Sequence, residues 1–304
     1  MGAKITMATE KLFFYFDDHF LPIEAKPISP FATAFLYGNG VFETIRLYNG
    51  KPFLLSEHLQ RLAKGIDFLA LARPAAWEEI STVITQLVKL NRLDQDNGVV
   101  RVICGDDQTT QAITNREKPS CHLIIQVFPL DLKLISQKQA GVKTCILPWK
   151  RDPDNPLLKH KTLNYLENFH GRKLAEQQGV QEGIFLNFYH ELCEGTYSNI
   201  FLVGKDSLVT PPVSSGLLPG ITRAAIIKAG KTIGLKCREE RISPEMITYF
   251  KGGFLSSSLM ELAPLENLGP QQFDPRLVAE LQRALLNAYR QLTGKLSVKK
   301  SGKV

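Results

Sequence analysis

Alternating apolar and polar positions open the chain. "KLFFYFDDHFLPIE" reads as a strand, a turn at Asp17–Asp18 and a returning strand. A clearer hairpin follows in "VFETIRLYNGKPFLL", where two alternating runs meet across Asn49–Gly50, a pair suited to a tight turn. The period then lengthens. Ser56 offers an N-cap, "EHLQRLAKGIDFLAL" repeats its apolar residues at helical spacing, and "AWEEISTVITQLVKLNRL" gives a second helix ending near Asn97–Gly98. With the strands "GVVRVIC" and "CHLIIQVF", these elements imply a two-layer α/β unit that runs to Phe128.

Pro129 and the polar stretch "DLKLISQKQ" read as a linker. Beyond it the pattern is denser in strands: "GVKTCILPW", then "GIFLNF", "HELCEG", "NIFLVG" and "SLVTP". A helix, "LENFHGRKLAEQQ", precedes the crowded strands and stops at Gly179. "LPGITRAAIIKAGKTIG" gives a turn and a helix, "GGFLSSSLMEL" another strand, and 274–292 a final helix. The expected organisation is a small α/β domain over residues 1–130, a larger β-rich domain over 131–294 and a disordered basic tail at 295–304. The fold class is α/β in the α+β sense, with no internal repeat.

Composition narrows the function. At 304 residues, 44% hydrophobic and 22% charged, the chain can bury one large core or two ordinary ones. The longest apolar runs fall short of the roughly 18–20 residues a membrane helix needs, and "MGAKITMATEKLFF" lacks the apolar centre of a signal peptide. Cys104, Cys121, Cys145, Cys193 and Cys237 are scattered without a C-x-x-C pair, which fits reduced thiols in the cytoplasm. The net charge of +7 invites a nucleic-acid reading, but Lys295, Lys299, Lys300 and Lys303 crowd the tail. Neither a recognition helix nor an aromatic–basic strand motif accompanies them, so no nucleic-acid partner is expected. The six histidines show no H-E-x-x-H spacing, and no metal site is expected.

Several stretches carry polar groups in unusual company. "NPLLKHKTLNYLENF" sets Lys159, His160 and Lys161 between an apolar pair and a helix, and spacing alone leaves open whether either lysine is chemical. "YGNGVFETIR" holds Gly38-Asn39-Gly40, but Glu43 occupies the third glycine position of a dinucleotide fingerprint and a hairpin follows, so that reading fails. "LLPGITRAAII" brings free backbone N–H groups at Ile221 and Thr222 to the positive end of a helix. A phosphate could bind there, or the helix end could simply be capped. Glu194 in "HELCEGTYSNIFLV" is either solvated in a turn or held to pair with a cation. "FLSSSLMEL" ends a buried strand with Ser256, Ser257 and Ser258, and buried hydroxyls need partners. No G-x-S-x-G elbow supports a serine hydrolase.

In order, a lysine, a carboxylate, a phosphate-binding helix end and a strand of hydroxyls are the parts of a pyridoxal phosphate site. "YGNGVFETIR", "HLQRL", "KTLNY", "EGTYSNIF", "LLPGITR" and "FLSSSLMEL" stand in the sequence that the class IV aminotransferases show, from Phe35 to Pro264. The chain resembles that family of fold type IV pyridoxal phosphate enzymes, which includes branched-chain aminotransferases, D-amino-acid aminotransferases and aminodeoxychorismate lyases. The resemblance implies a small α/β domain, a barrel-like β-rich domain, a cytoplasmic homodimer acting in amino-acid metabolism and pyridoxal 5'-phosphate as cofactor. It identifies Lys161 as the catalytic lysine that carries the cofactor, Glu194 as the acid opposite the pyridine nitrogen and Tyr165 as the partner of its phenolic oxygen. Arg61, Ile221, Thr222 and Ser258 match the phosphate ligands.

Tyr37 and Phe42 match positions near the substrate, and Arg101 is a candidate carboxylate ligand. The implied activity moves an amino group from an amino acid, branched-chain or otherwise apolar, to a 2-keto acid. Glu43-Thr44 departs from the "E-G" usual in branched-chain enzymes. A threonine at position 44 resembles the aminodeoxychorismate lyases, which make 4-aminobenzoate and pyruvate. That lyase is the alternative activity, and a catalytically silent scaffold is the alternative of another kind.

Overall fold

The computed structural model describes residues 12–108 and 121–292. The basic tail at 295–304 lies outside them. Two compact units emerge, one built from residues up to 55 and 62–130, the other from 56–61 and the chain after 131.

The first unit is a six-stranded antiparallel sheet. Its strands are β1 (Phe13–Phe16), β2 (His19–Pro22), β3 (Gly40–Tyr48), β4 (Lys51–Pro52), β5 (Gly98–Asp106) and β6 (Cys121–Pro129), in the order β2-β1-β6-β5-β3-β4. The β3–β4 turn uses Asn49 and Gly50, both with positive φ (49° and 71°), as that residue pair predicts. Helices α2 (Leu55–Phe68) and α3 (Ile80–Leu90) supply the second layer, burying Leu62 and Ile66 from α2 and Ile80, Val83, Ile84, Leu87 and Val88 from α3. Each such side chain contributes about 1.5–3 kcal/mol when fully withdrawn from water.

Two local expectations differ. The N-cap of α2 is Leu54 in the left-handed region, and Ser56 sits inside the first turn, where its Oγ accepts from Gln60 Nε2. α3 stops at Asn91, earlier than Asn97–Gly98, and the Asn91 side chain there bridges two strands. Its Oδ1 accepts from Phe13 N at 2.9 Å, and its Nδ2 donates to the Phe13 and Val127 carbonyls. A five-residue helix, α1 (Thr33–Tyr37), stands where the sequence pattern predicts no element.

The second unit begins where a linker was expected. Residues 132–140 form α4 (Leu132–Ala140), capped by Asp131, whose side chain accepts from Leu134 N at 2.9 Å. Only Ile135 of α4 is buried, which is why the segment reads as a polar connector. A βαβ unit follows: β7 (Thr144–Arg151), α5 (Leu166–Gln177) and β8 (Glu182–Asn187), the two strands pairing in parallel. β9 (Leu192–Gly195) adds to β8 antiparallel. A five-stranded sheet in the order β12-β11-β10-β13-β14 contains β10 (Asn199–Val203), β11 (Ser207–Thr210), β12 (Lys236–Glu239), β13 (Gly252–Ser257) and β14 (Glu261–Pro264).

Helix α6 (Ile221–Thr232), the short pair β15 (Asn267–Leu268) and β16 (Gln271–Gln272), and α7 (Ala279–Gln291) complete the unit. Its core is aliphatic, with Ile184, Leu192, Ile200, Leu202, Leu255 and Leu265 all fully buried in one cluster. The unit is β-rich as expected, and among the described residues no sheet closes into a barrel.

Candidate functional site

The stretch between β7 and α5 separates the two lysines. Residues 156–159 form a single 3₁₀ turn started by Pro156 and capped by Asn155, whose Oδ1 accepts from Leu157 N. Lys159 ends that turn and is exposed. Lys161, two residues on, is half-buried, and its Nζ donates to Tyr165 Oη at 3.3 Å and lies 4.7 Å from the centre of the same ring. An extended strand would have put both lysines on one face. Here they differ in exposure and in partner.

Tyr165 precedes α5 and donates from Oη to the Thr196 carbonyl at 3.3 Å. Burial, and then the charge of Glu194, push its phenol well above the ordinary range, so it remains a donor. Asn168, on the first turn of α5, donates to the same carbonyl at 2.7 Å. That carbonyl is itself fixed, because Glu182 accepts from Thr196 N, from Thr196 Oγ1 and from Ser198 Oγ.

Glu194 lies on β9, and its side chain is 9% exposed. One carboxylate oxygen accepts from Arg151 Nη1 at 2.8 Å and the other from Asn199 Nδ2 at 3.1 Å. Burial pushes the Glu194 carboxyl up. The Arg151 charge is the foremost influence against it, followed by the Leu218 N–H, the hydrogen bond from Arg151 and the Lys161 charge. Arg151 ends β7 and also donates from Nε to Glu167 and from Nη2 to Asn168, while its guanidinium stacks 3.6 Å from the centre of the Phe185 ring. A hydrogen bond between charged groups is worth ~1.5–3 kcal/mol, and removing one partner of a buried pair costs more because a charge is left behind. Cys193, beside Glu194, faces the Ser215 carbonyl, and burial pushes its thiol up to about 12, which keeps it neutral.

Three elements meet at the entry to α6. Gly220 caps α6 without any side chain, and a Cβ on it would collide with the Asn199 side chain. Asn199 Nδ2 also donates to the Leu218 carbonyl at 3.2 Å, joining the Glu194 side of the site to the α6 entry. Arg61, on α2 but packed with this unit, donates from Nη1 to the Pro219 carbonyl at 3.0 Å. Ser256 pairs with Asn199 across β10 and β13, and its buried Oγ has no hydrogen-bond partner. These donors fit a phosphate, and the lysine, phenol and carboxylate nearby fit the ring of pyridoxal phosphate.

Of the sequence-predicted residues, the structure joins Lys161 to Tyr165, Glu194 to the α6 entry through Asn199, and Arg61 to that entry at Pro219. Ile221 and Thr222 open α6, with Thr222 buried, and Ser258 stands one residue past β13, half-buried. Tyr37, Phe42, Thr44 and Arg101 belong to the first unit. Thr44 of β3 lies directly opposite Arg101 of β5, and Phe42 opposite Ile103, so these positions share one sheet face. Glu43 points to the other face and is fully buried. Tyr37 is exposed at the end of α1, where Gly38 (φ 68°) stops the helix. Sequence reasoning missed Arg151, Asn168, Asn199 and Glu182. Arg151 reads as part of a basic "WKRD" run, and only folding brings it to an acid 43 positions away.

Among the described residues no cluster of histidine, cysteine and carboxylate is placed to hold a metal ion, and no helix is long and apolar enough to cross a membrane. Residues 40–268 match the family model described as amino-transferase class IV. The aminodeoxychorismate lyase of Bacillus subtilis is 30% identical over 257 residues, covering 84% of this chain and 86% of its own. The branched-chain-amino-acid aminotransferase of Escherichia coli K12 is 28% identical over 270 residues, covering 86% and 87%. A solved structure of the Escherichia coli branched-chain aminotransferase superposes with a TM-score of 0.83 at 26% identity, over 96% of this chain and 98% of that one.

Proposed function

Because this chain belongs to the class IV aminotransferase family, we propose that it moves an amino group between an apolar amino acid, branched-chain ones foremost, and a 2-keto acid. It is an enzyme of that family, and its cofactor is pyridoxal 5'-phosphate. When bound, the cofactor supplies an electron sink for negative charge at the substrate's α carbon. The observation that carries the reading is the half-buried Lys161 amine against Tyr165, in the same unit as a buried carboxylate and an uncapped helix end.

The residues divide the work. Lys161 would hold the cofactor covalently and would move a proton at the substrate's α carbon as general acid and base. Glu194 keeps a proton on the ring nitrogen. Tyr165, a donor that burial prevents from ionising, steadies the ring's phenolic oxygen. Arg61, the N–H groups of Ile221 and Thr222, and Ser258 take the phosphate. Tyr37, Phe42, Thr44 and Arg101 face the substrate, with the Arg101 fork suited to a carboxylate. Five unpaired cysteines support a reducing compartment, the cytoplasm. Exposed Phe31, Phe35, Leu36 and Tyr37, clustered in one short segment, support a homodimer.

A lyase is the second reading, favoured by Thr44 and by the Bacillus subtilis relative. Both reactions need a proton taken from the α carbon by Lys161 and differ in their products: amino transfer gives a keto acid and an aminated acceptor, whereas elimination expels a leaving group from the substrate. Product analysis separates them. Leucine or valine with 2-oxoglutarate is expected to give the branched keto acid and glutamate. Pyruvate and an aromatic amine from aminodeoxychorismate, with every amino acid inert, would assign the protein to the lyases.

A further inference from the structure

Glu194 can hold a proton on a ring nitrogen only while it is itself ionised, and its burial works against that. It is buried on β9, in the company of Lys161, Tyr165 and Cys193. Burial disfavours its negative charge. Two cations influence it. Lys161 is the weaker one, and its charge is not constant, because the amine must be neutral whenever it accepts a proton. Arg151 never deprotonates.

We propose that Arg151 is a positioning residue that keeps Glu194 ionised throughout the reaction cycle and ties it to the helix that follows Lys161. The geometry is that of a fixed bracket. Arg151 ends β7 with its side chain 2% exposed and its guanidinium 3.6 Å from the centre of the Phe185 ring. One nitrogen serves Glu194, and the other two serve Glu167 and Asn168 on the first turn of α5. Asn168 continues to the Thr196 carbonyl, where Tyr165 also donates. The acid and the phenol are therefore held by one continuous set of hydrogen bonds, with Arg151 its permanent charge. Lysine could offer a charge at this place but not three directed donors.

The inference rests on the role given to Glu194 above, yet its test reads the carboxyl directly in cofactor-free protein. Isotope-edited infrared spectra of glutamate-labelled protein at neutral pH, with Glu194→Gln as reference, show whether Glu194 carries a proton. The wild type is expected to lack a protonated-carboxyl band from Glu194. Arg151→Met should show one, lost again in the Arg151→Met, Glu194→Gln double variant, while Arg151→Lys should restore the wild-type spectrum. A merely structural Arg151 would lower the melting temperature of Arg151→Met and leave Glu194 ionised, which overturns the proposal. A protonated Glu194 in the wild type also overturns it, and that measurement needs no variant to fold. Failure of cofactor binding in the wild type would instead count against the proposed function.

Discussion

Lys161→Ala is expected to remove turnover, whereas Lys159→Ala should keep it near the wild-type rate. Two functions disappear with the Lys161 amine: covalent attachment of the cofactor and proton transfer at the α carbon. General acid–base catalysis alone contributes about 10²–10⁴-fold, so the combined loss should exceed roughly 10⁴-fold in kcat. Alanine at position 161 removes a half-buried amine and its hydrogen bond to Tyr165, and a melting curve of the variant checks that the fold survives. Lys159 is exposed at the end of a 3₁₀ turn, where truncation removes only a solvated chain. Steady-state assays of both variants decide the matter. Retained turnover in Lys161→Ala would remove the lysine from the chemistry.

Glu194→Gln should bind the cofactor and react slowly. Glutamine has the shape of glutamate but no charge, so it cannot hold a proton on the ring nitrogen. A loss of about 10²–10³-fold in the proton-transfer step corresponds to roughly 2.7–4 kcal/mol of barrier. Stability should fall as well, because Arg151 stays buried with one charged partner fewer. Removing one member of a buried pair costs about 3–5 kcal/mol in general, and Glu167, still bonded to Arg151, should reduce that figure here. Single-turnover kinetics with an α-deuterated amino acid isolate the step. Wild-type speed with an unchanged isotope effect would exclude Glu194 from it.

Local rules made part of this fold legible. The Asn49–Gly50 turn needs two consecutive positive φ values, and few residue pairs supply them. Gly179 (φ 72°) ends α5, and Pro219-Gly220 admits α6, as their chemistry predicts. Helix α4 was hidden because its apolar contribution is a single residue, Ile135, and α1 because five residues carry no period. Periodicity could not separate Lys159 from Lys161; their burial and partners do, Lys159 ending an exposed 3₁₀ turn and Lys161 meeting Tyr165.

The candidate site shows the same division. Lys161, Glu194, Arg61 and the α6 entry stand in short motifs whose order points to one cofactor. Their supporting residues have no such signature. Arg151, Asn168 and Asn199 are ordinary polar residues in sequence, and their roles arise from contacts that only the βαβ crossover and the β9–β10 turn create. Glu182 is the sharpest example: a carboxylate at the start of a strand, it looks solvated, yet it is 4% exposed and its oxygens hold the turn after Glu194.

The central claim is that this protein works through pyridoxal phosphate carried on Lys161. Protein incubated with the cofactor, reduced with borohydride, digested and sequenced by mass spectrometry tests it most directly. The expected result is a single pyridoxyl-lysine, at position 161. A label at Lys159, or protein that stays unlabelled after reduction, would contradict the account.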